Sequence, residues 1–160
     1  MQKFFCVHEG SRKVTSMVAP MPSDWTPNIV AFCCNWCAYA GADLAGVNRR
    51  QYATEVRIVR VMCSGRVSSG IILKAFLFGA DGVMVLGCHI GDCHYRIGNL
   101  QAEKHVAQAK ELVDLAGIEP ERLLLQWISA AEGELFARTM DDFTKRIRAL
   151  GPLGGEPGER

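Results

Sequence analysis

The sequence predicts an α/β fold: a small four-stranded parallel sheet with flanking helices, flavodoxin-like or Rossmann-like. Three observations carry this expectation. Four short apolar runs recur along the 160 residues. They are mostly continuous rather than alternating, the pattern of strands covered on both faces in a parallel sheet. Helical patterns lie between and after them, and strands alternating with helices pack through right-handed crossovers.

In chain order, "NIVAF" (28–32) is the first run and is followed by "CCNWC". The helix after it, around 41–50, is the weakest, because two glycines limit it to a few turns. "EVRIVRVM" (55–62) is β-branched and runs into Cys63. Ser68 or Ser69 caps the next helix, which ends near Gly79. "GVMVLG" (82–87) is wholly apolar and leads into Cys88. From about residue 100, Val106, Ala109, Leu112, Val113 and Ala116 share one helical face, and Gly117 stops the run. "RLLLQWI" (122–128) is the fourth strand. "SAAE" (129–132) has the form of a capping box, and Phe136, Met140, Phe143, Ile147 and Leu150 follow at helical spacing up to Gly151-Pro152.

These elements give one domain over 28–150. Residues 1–27 lack periodicity, and "APMPSDWTP" reads as an extended lead-in, so an N-terminal extension is expected there. The Gly/Pro-rich segment 151–160 is expected to form a flexible C-terminal tail.

Composition narrows the function. A net charge of +1 provides no basic field for nucleic acid. No apolar run reaches membrane-span length, and the N-terminal apolar segment is too short for a signal peptide. A cytoplasmic location is expected. No G-x-G-x-x-G or P-loop follows a strand, and no Ser-His-Asp or paired-carboxylate constellation stands out.

The cysteines carry the chemistry. There are seven, an odd number and too few for a disulfide scaffold. Cys33, Cys34 and Cys37 follow the first strand, Cys63 ends the second, and Cys88 and Cys93 follow the third. Parallel strands end on one edge, where α/β folds bind ligands. A lone cysteine is most simply a small buried apolar residue; six on one edge are not explained that way. Cys33 continues the apolar run and is expected to face the core. Cys6 stands outside the pattern.

Cys34, Cys37, Cys63, Cys88 and Cys93 remain, one more than a four-thiolate site takes. Such thiolates suit zinc or an iron–sulfur centre. Spacings of C-x2-C and C-x4-C let one loop clasp a centre twice, and Gly87 and Gly91 let the second loop fold tightly. Cys88 and Cys93 are expected on opposite sides of one site. The following helix would direct its positive end at the centre, and Asp92 would oppose that field unless it faces solvent. His89 and His94 are expected beside the site rather than as ligands, and His8 and His105 at the surface. Trp36, Tyr39, Tyr95 and Trp127 are candidates for a docking surface, with core packing the simpler reading of Trp127.

The blocks "CCNWCAYAGADLAG", "RIVRVMCSGRV", "AFLFGADGVMVLGCHIGDCHYRIGN" and "AGIEPERLLLQWISAAEGELF" resemble the delta subunit of methyl-viologen-reducing hydrogenase, from about residue 29 to about 150. The resemblance implies one 2Fe–2S cluster and an electron relay. Electrons would pass from a hydrogenase or formate dehydrogenase-type module to the flavin of a heterodisulfide reductase A-like subunit, which can bifurcate them. The family's cysteines match Cys34, Cys37, Cys63, Cys88 and Cys93, four of which would bind iron. Two alternatives stand beside this reading: a structural zinc module for assembly, and a thiol–disulfide enzyme using Cys34 and Cys37.

Overall fold

A computed structural model describes residues 25–154 of the chain. The expected N-terminal extension and C-terminal tail fall mainly on residues outside that range. Of their described parts, Trp25 packs against the core, and the Leu153 N–H donates to the Asp81 carboxylate at 2.9 Å.

Among the described residues the elements are β1 (Ile29–Cys34), α1 (Ala38–Val47), β2 (Val56–Val61), α2 (Ser69–Leu77), β3 (Gly82–Gly87), α3 (Gly98–Leu115), β4 (Leu123–Trp127) and α4 (Gly133–Leu150). All strand pairings are parallel, in the order β2-β1-β3-β4. This is the α/β fold expected, with the order of the first four strands of a flavodoxin-like sheet. The order reverses between β1 and β3, so the loops leaving these strands diverge to opposite faces and open a crevice.

The side-chain alternation of the strands splits the core. Ile29, Ala31, Cys33, Met84 and Leu86 face α1 and α4. Phe32, Val83, Val85 and Leu123 face α2 and α3, meeting Ile72, Phe76, Val106 and Val113. β3 is buried along its whole length, which explains its unbroken apolar sequence. β2 lies at the sheet edge and is only half-buried, with Arg57 and Arg60 outward, so it is less covered than the sequence suggested. Charges there discourage further strand pairing.

Helix boundaries mostly follow the local signals. The Ser68 hydroxyl accepts the Ile71 N–H and caps α2, while Gly117 and Gly151 take positive φ beyond α3 and α4. Two expectations need correction. α1 begins at Ala38, three residues before the expected start, and buries Ala38, Gly41, Ala42 and Ala45. A Cβ on Gly41 would lie 3.0 Å from the Ser129 carbonyl oxygen. The "SAAE" segment forms only the glutamate half of a capping box, and it lies before α4 rather than in its first turn. The helix starts at Gly133, the Ser129 side chain makes no cap, and the Glu132 carboxylate accepts the Ser129 N–H at 2.7 Å.

The opposite end of the sheet is closed by a residue the sequence did not flag. Arg122 is buried and donates to the carbonyls of Asp81, Leu150 and Gly151 and to the Glu119 carboxylate. It thereby satisfies the last carbonyls of α4. Asp81 ties the same end from its carboxylate, which accepts the N–H of Asn28.

Candidate metal centre

Cys34 is the last residue of β1, and Cys37 directly precedes α1. Cys63 opens a short 3₁₀ turn (Ser64–Arg66) after β2, Cys88 follows β3, and Cys93 lies in the loop before α3. The sheet brings these five thiols into one cluster. Cys34 and Cys88 leave the two strands that flank the order reversal, so the cluster sits at the switch point. Cys33, next to Cys34, projects to the other face of β1 and is buried in the core, as expected.

Within the cluster the thiols form two sets. Cys88 hydrogen-bonds Cys34 at a sulfur–sulfur distance of 3.6 Å, and Cys37 packs against the same group. Cys63 and Cys93 form the other set, with both sulfurs lying beside Gly98. Among the described residues, no group of three or more His, Cys, Asp or Glu side chains stands ready-made around a single ion.

The backbone is arranged for negative charge. The N–H groups of Trp36, Cys37 and Ser64 point at the Cys34 sulfur, and that of Gly65 at the Cys63 sulfur. The hydrogen bond from Cys88, followed by those N–H groups, lowers the Cys34 thiol to about 6 against its burial, and drives Cys88 upward. Burial raises Cys37 and Cys63, and pushes Cys33 up to about 12. Cys34 is thus the thiol of the group that its surroundings favour most as thiolate. It is 1% exposed, which removes it from attack on an external disulfide.

Glycines make the close approach possible. Gly98, the first residue of the 18-residue helix α3, lies directly beneath two sulfurs. A Cβ there would fall 2.1 Å from Cys63 Sγ and 3.1 Å from Cys93 Sγ. The positive end of α3 therefore abuts the thiols, as the sequence led us to expect. Gly65 packs on the same point, where a Cβ would meet the Gly98 carbonyl oxygen at 2.6 Å. Gly91 turns the second cysteine loop at φ +97°. Asp92 is exposed, yet its charge lies near enough to help raise the Cys37 thiol, behind burial, so it opposes thiolate charge at that edge of the site.

The histidines have their own partners. His89 Nε2 meets the Glu132 carboxylate at 2.7 Å, joining the cysteine loop to the β4–α4 turn. Ser129 N–H and then His89 hold the Glu132 carboxyl below its usual range. The His94 ring stacks on Trp36 at 3.8 Å and meets Tyr95 edge-on. His105 differs from expectation: it is half-buried, and its Nδ1 has no partner among the described residues.

One residue that shapes the cysteine loop escaped the sequence reading. Asn99 is buried, and its side-chain amide donates to the carbonyls of Cys88 and His89 at 3.3 and 2.7 Å. It holds the cysteine loop to the start of α3. An asparagine in the first turn of a helix after a cysteine loop was the available signal, and it is indistinguishable from an ordinary cap.

The surroundings are apolar. A cleft of about 420 Å³, lined by Met62, Tyr95 and Ile97 among others, opens at Cys63. Trp36 and Tyr95 are exposed beside the thiols, whereas Tyr39 and Trp127 pack partly against the core.

Comparison with known proteins places this arrangement. Residues 29–151 match the family described as "Methyl-viologen-reducing hydrogenase, delta subunit". The chain belongs to this family. It is 54% identical over 132 residues to the D-type iron-sulfur subunit of the vhc F420-non-reducing hydrogenase of Methanococcus voltae, covering 82% of this chain and 92% of the relative. The corresponding D-type subunit of Archaeoglobus profundus is 51% identical over 133 residues, covering 83% and 97% of the two chains. A third family relationship has a different form. The A-type subunit of the ferredoxin/F(420)H(2)-dependent CoB-CoM heterodisulfide reductase of Methanosarcina acetivorans is 49% identical over 130 residues, which are 81% of this chain but 16% of that protein. The delta-subunit module thus also occurs within a much longer polypeptide. Among the described residues no helix is long and apolar enough to cross a membrane.

Proposed function

We propose that the protein is the iron–sulfur electron-transfer component of a larger oxidoreductase and that its clustered thiols hold one 2Fe–2S cluster. Four of Cys34, Cys37, Cys63, Cys88 and Cys93 supply the thiolates. When bound, the cluster accepts and returns one electron at a time. The observation that carries the reading is the convergence of five thiols from three loops on the N-terminus of α3. The donor set suits iron and sulfide, the two thiol sets fit two irons, and Gly98 leaves the room that a side chain would fill. Cys88 and Cys93 fall in different sets, in keeping with opposite sides of one site.

The chain's own residues then have defined tasks. N–H groups at Cys34 and Cys63 stabilise thiolate charge and help to set the potential. Asn99 fixes the Cys88 carbonyl, and His89 with Glu132 braces the loop. Trp36, Met62, Tyr95 and Ile97 give the cluster an apolar, exposed margin on which a redox partner docks.

The partner is a heterodisulfide reductase A-like flavoprotein subunit, which receives electrons that a hydrogenase or formate dehydrogenase-type module delivers. The occurrence of this module within an A-type heterodisulfide reductase chain supports the first half, because fusion keeps partners together. The names of the D-type relatives support the hydrogenase. The expected location is the cytoplasm.

The test is iron and acid-labile sulfide analysis of anaerobically purified protein, with electron paramagnetic resonance after reduction. Equal iron and sulfide with a 2Fe–2S signal is the expected result. A colourless protein with one zinc and no sulfide would replace this reading with the structural zinc module.

A further inference from the structure

The site holds five thiols, whereas a 2Fe–2S cluster takes four, two to each iron. Their arrangement assigns the surplus. Cys63 and Cys93 pair with each other against Gly98 and form one end. The other end has three thiols: Cys88 hydrogen-bonds Cys34 at 3.6 Å, and Cys37 packs against the same group from the turn that carries Cys34. One iron cannot keep all three within a two-thiolate share, and Cys88 is the member that either neighbour can complete.

We propose that Cys34 and Cys37 are alternative ligands opposite Cys88, with Cys34 the resident one and Cys37 held in reserve. The inference rests on the two-iron reading above. Cys34 is the better prepared, since three backbone N–H groups point at its sulfur and it is almost wholly buried. Cys37 is the only one of the five that is more than slightly exposed. Both leave the same turn between β1 and α1, so exchange needs side-chain rotation in "CNWC" and leaves the sheet register untouched. Exchange transfers no electron. Cys37 gives up its thiol proton as its sulfur–iron bond forms, and Cys34 takes one up as its own bond breaks. Trp36 lies between the two cysteines and stacks on His94 of the opposite loop, so a partner pressing on that stack acts on the turn carrying both thiols.

The experiment uses the full chain, purified anaerobically as wild type, Cys34→Ser, Cys37→Ser and the double variant. Iron and sulfide, the electron paramagnetic resonance spectrum and N-ethylmaleimide labelling mapped by mass spectrometry are read for each. In wild type, Cys37 alone among the five is expected to be labelled while the cluster is present. Cys37→Ser should keep full iron and an unchanged spectrum. Cys34→Ser should keep most of its iron with shifted g values and lose labelling at Cys37, and the double variant should hold none. Protection of Cys37 in loaded wild type overturns the proposal without any variant having to fold. So does loss of the cluster in folded Cys34→Ser, or retention in the double variant. An absence of iron and sulfide from wild type overturns the two-iron reading and the exchange with it.

Discussion

Gly98 fixes the separation between the start of α3 and two sulfurs, so a single methyl at this position tests the site. In Gly98→Ala the new Cβ would overlap Cys63 Sγ and crowd Cys93 Sγ. We expect the variant to fold, with an unchanged far-ultraviolet circular dichroism spectrum, and to lose most of its iron and sulfide; full occupancy would show that the thiols yield freely. A second expectation follows from Cys34 in the metal-free protein. Its folded pKa, about 6, lies below the ordinary thiol value of 9.0. The unfolded chain therefore binds more protons between these values, and stability rises with pH across that window. Cys33, Cys37, Cys63 and Cys88 are raised, so their contribution is present below the ordinary thiol value and is lost above it. Urea midpoints of the metal-free protein should increase from about pH 6 to about pH 8, and Cys34→Ser should flatten that increase. An equal slope in both proteins would assign the thiolate elsewhere.

At the scale of elements, α1 and α4 approach each other backbone to backbone. A Cβ on Gly133 would stand 2.8 Å from the Ala45 backbone nitrogen, and backbone cannot swing aside as a flexible side chain does. Gly133→Ala should therefore destabilise the protein by about 1–3 kcal/mol through overpacking, despite the better helix propensity of alanine. Chemical denaturation measures the loss, and a neutral or stabilising result would show that the helices separate easily. The same crossing carries Ser129 and Glu132, and through Glu132 it reaches His89 in the cysteine loop. Strain at this crossing should thus shift the reduction potential more than it changes iron content. The weak helix of the sequence reading is explained here. Its glycines and alanines are poor in amphipathic signal, yet they are what permits the approach.

Across the whole molecule, the two ends of the sheet divide the work. Cysteines and glycines occupy the carboxyl edge, and a buried latch of Arg122, Asp81 and the end of α4 closes the other. Removing the latch should cost stability without touching the site. Arg122→Met leaves several buried carbonyls unpaired and should destabilise by about 2–4 kcal/mol, with iron per folded molecule unchanged. Loss of iron in folded Arg122→Met would show that the two edges are coupled. The sequence by itself determined the strands, the parallel α/β class and the placing of six cysteines at strand ends, because burial on both faces imposes continuous apolar runs and glycine imposes loops. It also separated Cys33 from its neighbours, since strand alternation sends adjacent residues to opposite faces. Only the tertiary structure decided which thiols pair, because Cys63 meets Cys93, and Cys88 meets Cys34 and Cys37, across distances that sequence spacing does not encode. It likewise decided that Asn99 anchors the cysteine loop and that Glu132, besides accepting the Ser129 N–H, binds His89. Those roles depend on which loops the strand order brings together, and local propensity is blind to that order.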